Sequence, residues 1–165
     1  MVEQAGHWQY PNPDAILPKM KAAQFSDFAA PLEIIDLPEP ELPPGGVIIK
    51  VKAAGICRSD WHAWQGHDPD IKSLPHVPGH EFSGTIEALA AGIRGWQVGD
   101  RVTVPFACGC GQCNQCADGH TQVCPDQFQP GFTANGAFAE YIALPFAETN
   151  LIRLPESVDF ASAAS

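Results

Sequence analysis

The sequence predicts a mainly β domain, a small barrel or sandwich of short strands. Two observations carry this. Sixteen Pro and fifteen Gly among 165 residues interrupt the chain too often for long helices. Between the interruptions lie short β-prone runs, one of which alternates apolar and charged residues with period two, as a strand with one buried face does.

Residues 1–18 contain Pro11, Pro13 and Pro18 among polar residues and read as an irregular arm. Residues 19–25 and 32–37 read as two short strands. Val47-Ile48-Ile49-Lys50-Val51-Lys52 opens the clearest strand, 47–56, which runs directly into Cys57. Residues 58–65 suit a helical turn with Ser59 as N-cap, ended by Gly66. A proline-rich loop, 68–78, precedes a strand over 81–91, in which Gly84 marks a bulge or a close backbone approach. Val98-Gly99-Asp100 is a turn into a strand at 101–105. A cysteine cluster fills 108–124, and loop follows to 136. Strands are expected at 137–144 and 151–154. Pro155-Glu156-Ser157-Val158-Asp159 reads as a helix start, with acids at its positive end. The chain stops at Ser165 inside that expected helix, an odd place for a natural C-terminus.

Composition narrows the function. The 45% apolar and 17% charged fractions are those of a globular protein. A formal net charge of −10 argues against nucleic acid or an anionic membrane as the main partner, since both need a basic footprint. No stretch approaches the roughly 20 apolar residues of a membrane span, and no secretory signal is evident. Six Cys at short spacings without such a signal favour metal binding over disulfides, and a reducing cytoplasm. No Gly-x-Gly-x-x-Gly follows a strand: Gly109 and Gly111 begin such a pattern, but Asn114 stands where the third Gly belongs.

Two constellations carry chemistry. Cys57, His80 and Glu81 offer a thiolate, an imidazole and a carboxylate, the donor types of a zinc site with one position left for substrate. The alternative is three residues that share a window by coincidence, because the spacing from Cys57 to His80 is long and not diagnostic. Cys110, Cys113, Cys116 and Cys124 place four thiols within fifteen positions, as in a closed structural zinc site. Disulfides, or an iron–sulfur cluster suggested by Cys124-Pro125, remain alternatives. Cys108 reads as a bystander.

These motifs occur together and in order. Gly79-His80-Glu81-Phe82-Ser83-Gly84 is followed by Ala90 and Ile93, and Cys57-Arg58-Ser59-Asp60 by His62. The four-cysteine spacing is preceded by Val98-Gly99-Asp100-Arg101-Val102 and followed by Gly131-Phe132, Gly136 and Phe138-Ala139-Glu140-Tyr141. Over about residues 20–165 the chain resembles the zinc-dependent alcohol dehydrogenases of the medium-chain dehydrogenase/reductase superfamily.

The resemblance implies a GroES-like fold for residues 19–154: a partly open β-barrel with short helices and a zinc-binding loop lobe, without a Rossmann domain in this chain. Residues 155–165 would begin the connecting helix towards a cofactor-binding domain. It implies oxidation of an alcohol to an aldehyde or ketone, with zinc activating the hydroxyl and NAD or NADP taking the hydride. The chain alone is expected to be inactive. Cys57 and His80 would be catalytic zinc ligands, with Glu81 beside the metal and Asp60 orienting His80. Ser59 and His62 would carry the proton, Arg58 would meet the cofactor pyrophosphate with Ser59 and His62 near its ribose, and Trp61 and Phe106 would wall the substrate pocket. Cys110, Cys113, Cys116 and Cys124 would hold structural zinc. A cytoplasmic homo-oligomer, dimer or tetramer, acting on a small alcohol or aldehyde would follow. A non-enzymatic zinc- or iron–sulfur-binding β domain, a relic or an electron-transfer module, is the alternative.

Overall fold

A computed structural model describes residues 18–164; all but Pro18 of the expected arm 1–18 lies outside the described residues. Strands β1 (Lys19–Gln24) and β2 (Glu33–Pro38) form an antiparallel hairpin. The main sheet contains β3 (Val47–Ala54), β4 (Phe82–Leu89), β5 (Arg101–Thr103), β6 (Tyr141–Leu144) and β7 (Ile152–Arg153). Its order is β6-β3-β4-β5-β7, with every neighbour antiparallel. Three short helices complete the chain: α1 (Arg58–Trp64), α2 (Asn114–Ala117) and α3 (Ala147–Asn150).

The alternation in β3 sets the register of the main sheet. Val47 and Ile49 are buried while Lys52 is exposed. Ile49 stands opposite Ile86 on β4 and Ile142 on β6. With Phe82, Val102 and Leu144 these residues make the core. Each such side chain removed from water contributes about 1.5–3 kcal/mol before entropy is counted. The hairpin joins the main sheet's end through residues 137–140. Ala23 N–H donates to Phe138 O at 2.7 Å, and Glu140 N–H to Lys21 O at 3.0 Å.

Gly84 is a close approach. A Cβ there would collide with the Lys50 carbonyl oxygen of the neighbouring strand, so β3 and β4 meet at a spacing no side chain allows.

The structure corrects three local readings. The N-cap of α1 is Cys57, not Ser59. The strand expected over 137–144 is regular only from Tyr141, because residues 137 and 138 bond back to Pro78 and Gly79. The segment from Pro155 is turn rather than helix, and a single 3₁₀ turn forms at Ser162–Ala164. Arg101 takes the Pro155 and Val158 carbonyls that a helix would need for its own first turns. Asp159 accepts the Ser162 N–H at 2.8 Å and so caps the later turn.

Candidate metal centre

β3 ends at Ala54, and Gly55 N–H then donates to Glu81 O at 2.8 Å. This bond ties the approach to Cys57 to the start of β4. Cys57 is extended (φ −119°, ψ 175°), and its sulfur accepts the Ser59 N–H at 3.2 Å. Asp60 closes a capping box by accepting the Cys57 N–H at 3.0 Å through Oδ2. Gly66, at φ +74°, follows the end of the helix in the left-handed conformation that glycine adopts without cost.

The same Asp60 carboxylate reaches the next ligand candidate. Oδ1 accepts from His80 Nδ1 and from Gly79 N–H, each at 3.1 Å. His80 Nε2 then faces Cys57 Sγ at 3.1 Å. Cys57, His80 and Glu81 each place a ligand atom within 4.8 Å of the other two. His80 and Asp60 are 4% and 6% exposed, so neither has water to replace these partners. Gly79 sits at φ +103° against Phe138, and this turn aims the following imidazole.

Burial opposes ionisation of the Cys57 thiol. Hydrogen bonds from Ser59 and the nearness of His80 outweigh it and leave the pKa lowered. Burial likewise opposes a charge on His80, but the Asp60 hydrogen bond and charge, with Cys57, leave its pKa raised. A sulfur inclined to ionise and an imidazole whose far nitrogen is held by a carboxylate form a donor set that fits zinc.

The other expected residues lie around this cluster. The Phe106 ring meets His80 edge-on at 5.3 Å and Phe132 at 5.5 Å, and His80 lies 5.0 Å from Phe132. Trp61 carries the Arg58 guanidinium 5.4 Å from its ring centre and touches the rings of His62 and His67. Trp61 and Phe106 are 43% and 46% exposed: they flank an open face of this chain. A cavity of ≈ 570 Å³ lies elsewhere, against Met20, Leu37, Val77 and Ile142. Its lining contains no Cys, His, Asp, Glu, Lys or Arg, and its polar side chains are those of Asn135 and Tyr141.

The four sulfurs of Cys110, Cys113, Cys116 and Cys124 also lie within 4.8 Å of one another, unbridged. Backbone amides point at three of them: Cys110 N–H at Cys124, Gln112 N–H at Cys110, and Cys116 N–H at Cys113. The amides at Cys110 bring its pKa down to about 7, while burial pushes Cys116 up to about 12. Helix α2 inside this lobe buries no residue, so apolar packing does not hold its shape. Four converging thiols fit a closed zinc site, which would supply that stability.

Sequence reasoning missed Asn150. It is 2% exposed. Its Oδ1 accepts Gly109 N–H, and its Nδ2 donates to Gly109 O and Phe146 O, all at 2.9 Å. It pins the start of the lobe to α3. Cys108 is fully buried and donates to Pro105 O at 3.4 Å; it lies outside the four-sulfur group.

An antiparallel β domain with an S/N/O donor cluster where β3 ends and β4 begins, and with a four-thiol lobe, is a domain built around two candidate metal sites. Comparison with known proteins names its family. Residues 43–156 match the alcohol dehydrogenase GroES-like domain, and the chain belongs to that family. It is 37% identical over 141 residues to an alcohol dehydrogenase of Geobacillus stearothermophilus, covering 85% of this chain and 41% of that one. A thermostable alcohol dehydrogenase from Pyrobaculum aerophilum, solved with cobalt and zinc bound, superposes with a TM-score of 0.80 at 33% identity. That match covers 89% of this chain and 44% of the other. The rspB alcohol dehydrogenase from E. coli CFT073, solved with NADH, gives a TM-score of 0.75 at 38% identity, with 88% and 41% covered. The chain thus spans about two fifths of the length of the relatives it matches. The mainly β, GroES-like fold is that of the zinc-dependent, medium-chain alcohol dehydrogenases. No helix among the described residues is long and apolar enough to cross a membrane.

Proposed function

We propose that this chain is the catalytic part of a zinc-dependent alcohol dehydrogenase that oxidises a small alcohol to an aldehyde or ketone and delivers the hydride to NAD or NADP. The convergence of Cys57 Sγ, His80 Nε2 and a Glu81 oxygen within 4.8 Å carries the reading. Cys57 and His80 would ligate the ion, Glu81 would stand beside it, and Cys110, Cys113, Cys116 and Cys124 would hold the structural ion. Zinc, when bound, supplies the Lewis acid that makes a substrate hydroxyl acidic near neutral pH.

The remaining work falls to side chains. Asp60 holds His80 in the tautomer that leaves Nε2 free to coordinate. Ser59 takes the hydroxyl proton and relays it, since a serine is too weak a base to keep it. His62 receives it, imidazole being the side chain most often used for general-base work. Ser59 and His62 lie three apart on α1 and so on one helix face. Arg58, exposed at the start of α1, would pair with the cofactor pyrophosphate. Trp61 and Phe106 would wall the substrate, and Phe106 shields the His80 ring from water. A cytoplasmic homo-oligomer is the setting we infer, on the strength of six unbridged cysteines and of the dehydrogenase relatives.

The test is alcohol-dependent reduction of NAD and NADP by the zinc-loaded holoenzyme, this chain joined to a cofactor-binding domain, alongside metal analysis; the chain alone should turn nothing over. We expect turnover and two zinc ions per chain; Cys57→Ser should abolish turnover and remove one of them. Absence of turnover with primary and secondary alcohols, or iron in place of zinc, would overturn the reading.

A further inference from the structure

The proton path described above stops at His62, yet the structure continues it. His62 Nδ1 lies 3.3 Å from His67 Nδ1, and the ring centres are 5.6 Å apart. Gly66 turns the chain out of α1 and brings His67 back over the last helical turn, where its N–H donates to His62 O at 3.0 Å. Trp61 braces both rings, edge-on to His62 at 4.9 Å and to His67 at 5.8 Å. His62 is half-buried and His67 is exposed, so the pair runs from the interior face of the helix to solvent.

We infer that His67 is the outer station of the proton path, receiving from His62 Nδ1 the proton released by the alcohol and handing it to water. This inference rests on the dehydrogenase reading. An imidazole conducts because one nitrogen accepts as the other donates. The proton enters His62 at Nε2, and His62 gives up its Nδ1 proton to the Nδ1 lone pair of His67. His67 then loses its Nε2 proton to water. One proton enters and one leaves, no electron moves, and both rings return to neutral in the opposite tautomers. Exchange with solvent restores them before the next turnover. Among the described residues, neither ring forms an ion pair. The charged neighbours are Arg58, stacked on Trp61, and Asp68 and Asp70 in the loop that follows, where Asp68 Oδ1 accepts the Asp70 N–H at 2.9 Å. The two imidazoles therefore face each other without a carboxylate between them.

Two measurements decide it. In the zinc-loaded chain, nitrogen NMR of the histidine rings should show a scalar coupling across the hydrogen bond between His62 Nδ1 and His67 Nδ1. His67→Gln should abolish that coupling. In the holoenzyme, His67→Gln should lower kcat below neutral pH, by less than the roughly 10²- to 10⁴-fold contributed by a group that takes the proton in the transition state, because His67 acts one station later. KM should stay unchanged, and added imidazole should restore the rate. In a His62→Gln background the same change should cost nothing further, because the two stations act in series. Absence of that coupling, an unchanged pH profile, or an equal loss in both backgrounds would overturn the role of His67 while alcohol oxidation stands. A wild-type holoenzyme that oxidises no alcohol would instead overturn the dehydrogenase reading, and this inference with it.

Discussion

Asp60 and His80, twenty residues apart in sequence, are joined by a 3.1 Å hydrogen bond between Oδ1 and Nδ1, both side chains buried. The other oxygen of the same carboxylate caps α1. One side chain thus sets both the direction of an imidazole and the start of the helix that carries Ser59 and His62.

Asp60→Asn should weaken zinc at the Cys57–His80–Glu81 cluster by roughly 10- to 100-fold, the usual cost of removing an outer partner of a ligating histidine. Competition against a chelator measures this. The four-thiol lobe serves as internal control and should keep its ion. Equal affinity in the variant and the parent would remove Asp60 from the design.

Cys110→Ser and Asn150→Ala separate metal from framework in the lobe. The first should lose one zinc equivalent and lower Tm. The second leaves the buried Gly109 N–H and C=O without their partner and should cost roughly 1–3 kcal/mol for unsatisfied groups while keeping both ions. Metal content with thermal unfolding distinguishes them. Zinc loss in Asn150→Ala, or unchanged zinc in Cys110→Ser, would contradict the division.

His76 gives a pH dependence of stability. It is 3% exposed, and Nε2 donates to Gly131 O at 2.9 Å. Burial lowers its pKa below 6.5, although the Gly131 bond works the other way. Below pH 6.5 the unfolded chain therefore binds a proton that the folded chain does not. Its contribution is complete above 6.5 and is lost as pH falls through the folded value. His76→Gln should flatten the acid side of the stability curve in that window. Denaturant unfolding across the range checks this, and identical curves for parent and variant would refute it.

Cys108 should be chemically silent. Burial pushes its thiol up to about 12, and only thiolate reacts. After chelation of metal, iodoacetamide at mildly basic pH should modify Cys57 and leave Cys108 intact, as read by peptide mass spectrometry. Modification of Cys108 at the rate of an open thiol would show that the lobe opens.

The strands were legible where one face is buried. In β3 the alternation of Val47, Ile49 and Lys52 states the register directly. The donor residues were legible by type, but their meeting was not: Cys57 and His80 converge because β3 and β4 are neighbours, a fact held in the pairing of Ala54 with Phe82. Ser59 looked like the cap because hydroxyls usually cap helices, whereas here a thiol two residues earlier does so. Asn150 offered no signal, since an Asn between Thr149 and Leu151 looks like any polar loop residue until the backbone of Gly109 is set against it. His67 was hidden because five residues is not a same-face helical spacing; it meets His62 only because Gly66, at φ +74°, turns the chain back.

The sulfur of Cys57 both caps α1 and faces His80. Its position is therefore set by backbone amides before any ion arrives, and those amides are not consumed by coordination. The sulfurs of the lobe also receive backbone amides, but those amides belong to the lobe itself, whose helix buries nothing. The two centres should differ in kinetics: one a rigid socket that exchanges its metal with the fold intact, the other a clasp whose ion leaves only when the loop unwinds. Isotopic zinc exchange should then be biphasic, with the slow phase tracking local unfolding of residues 108–124.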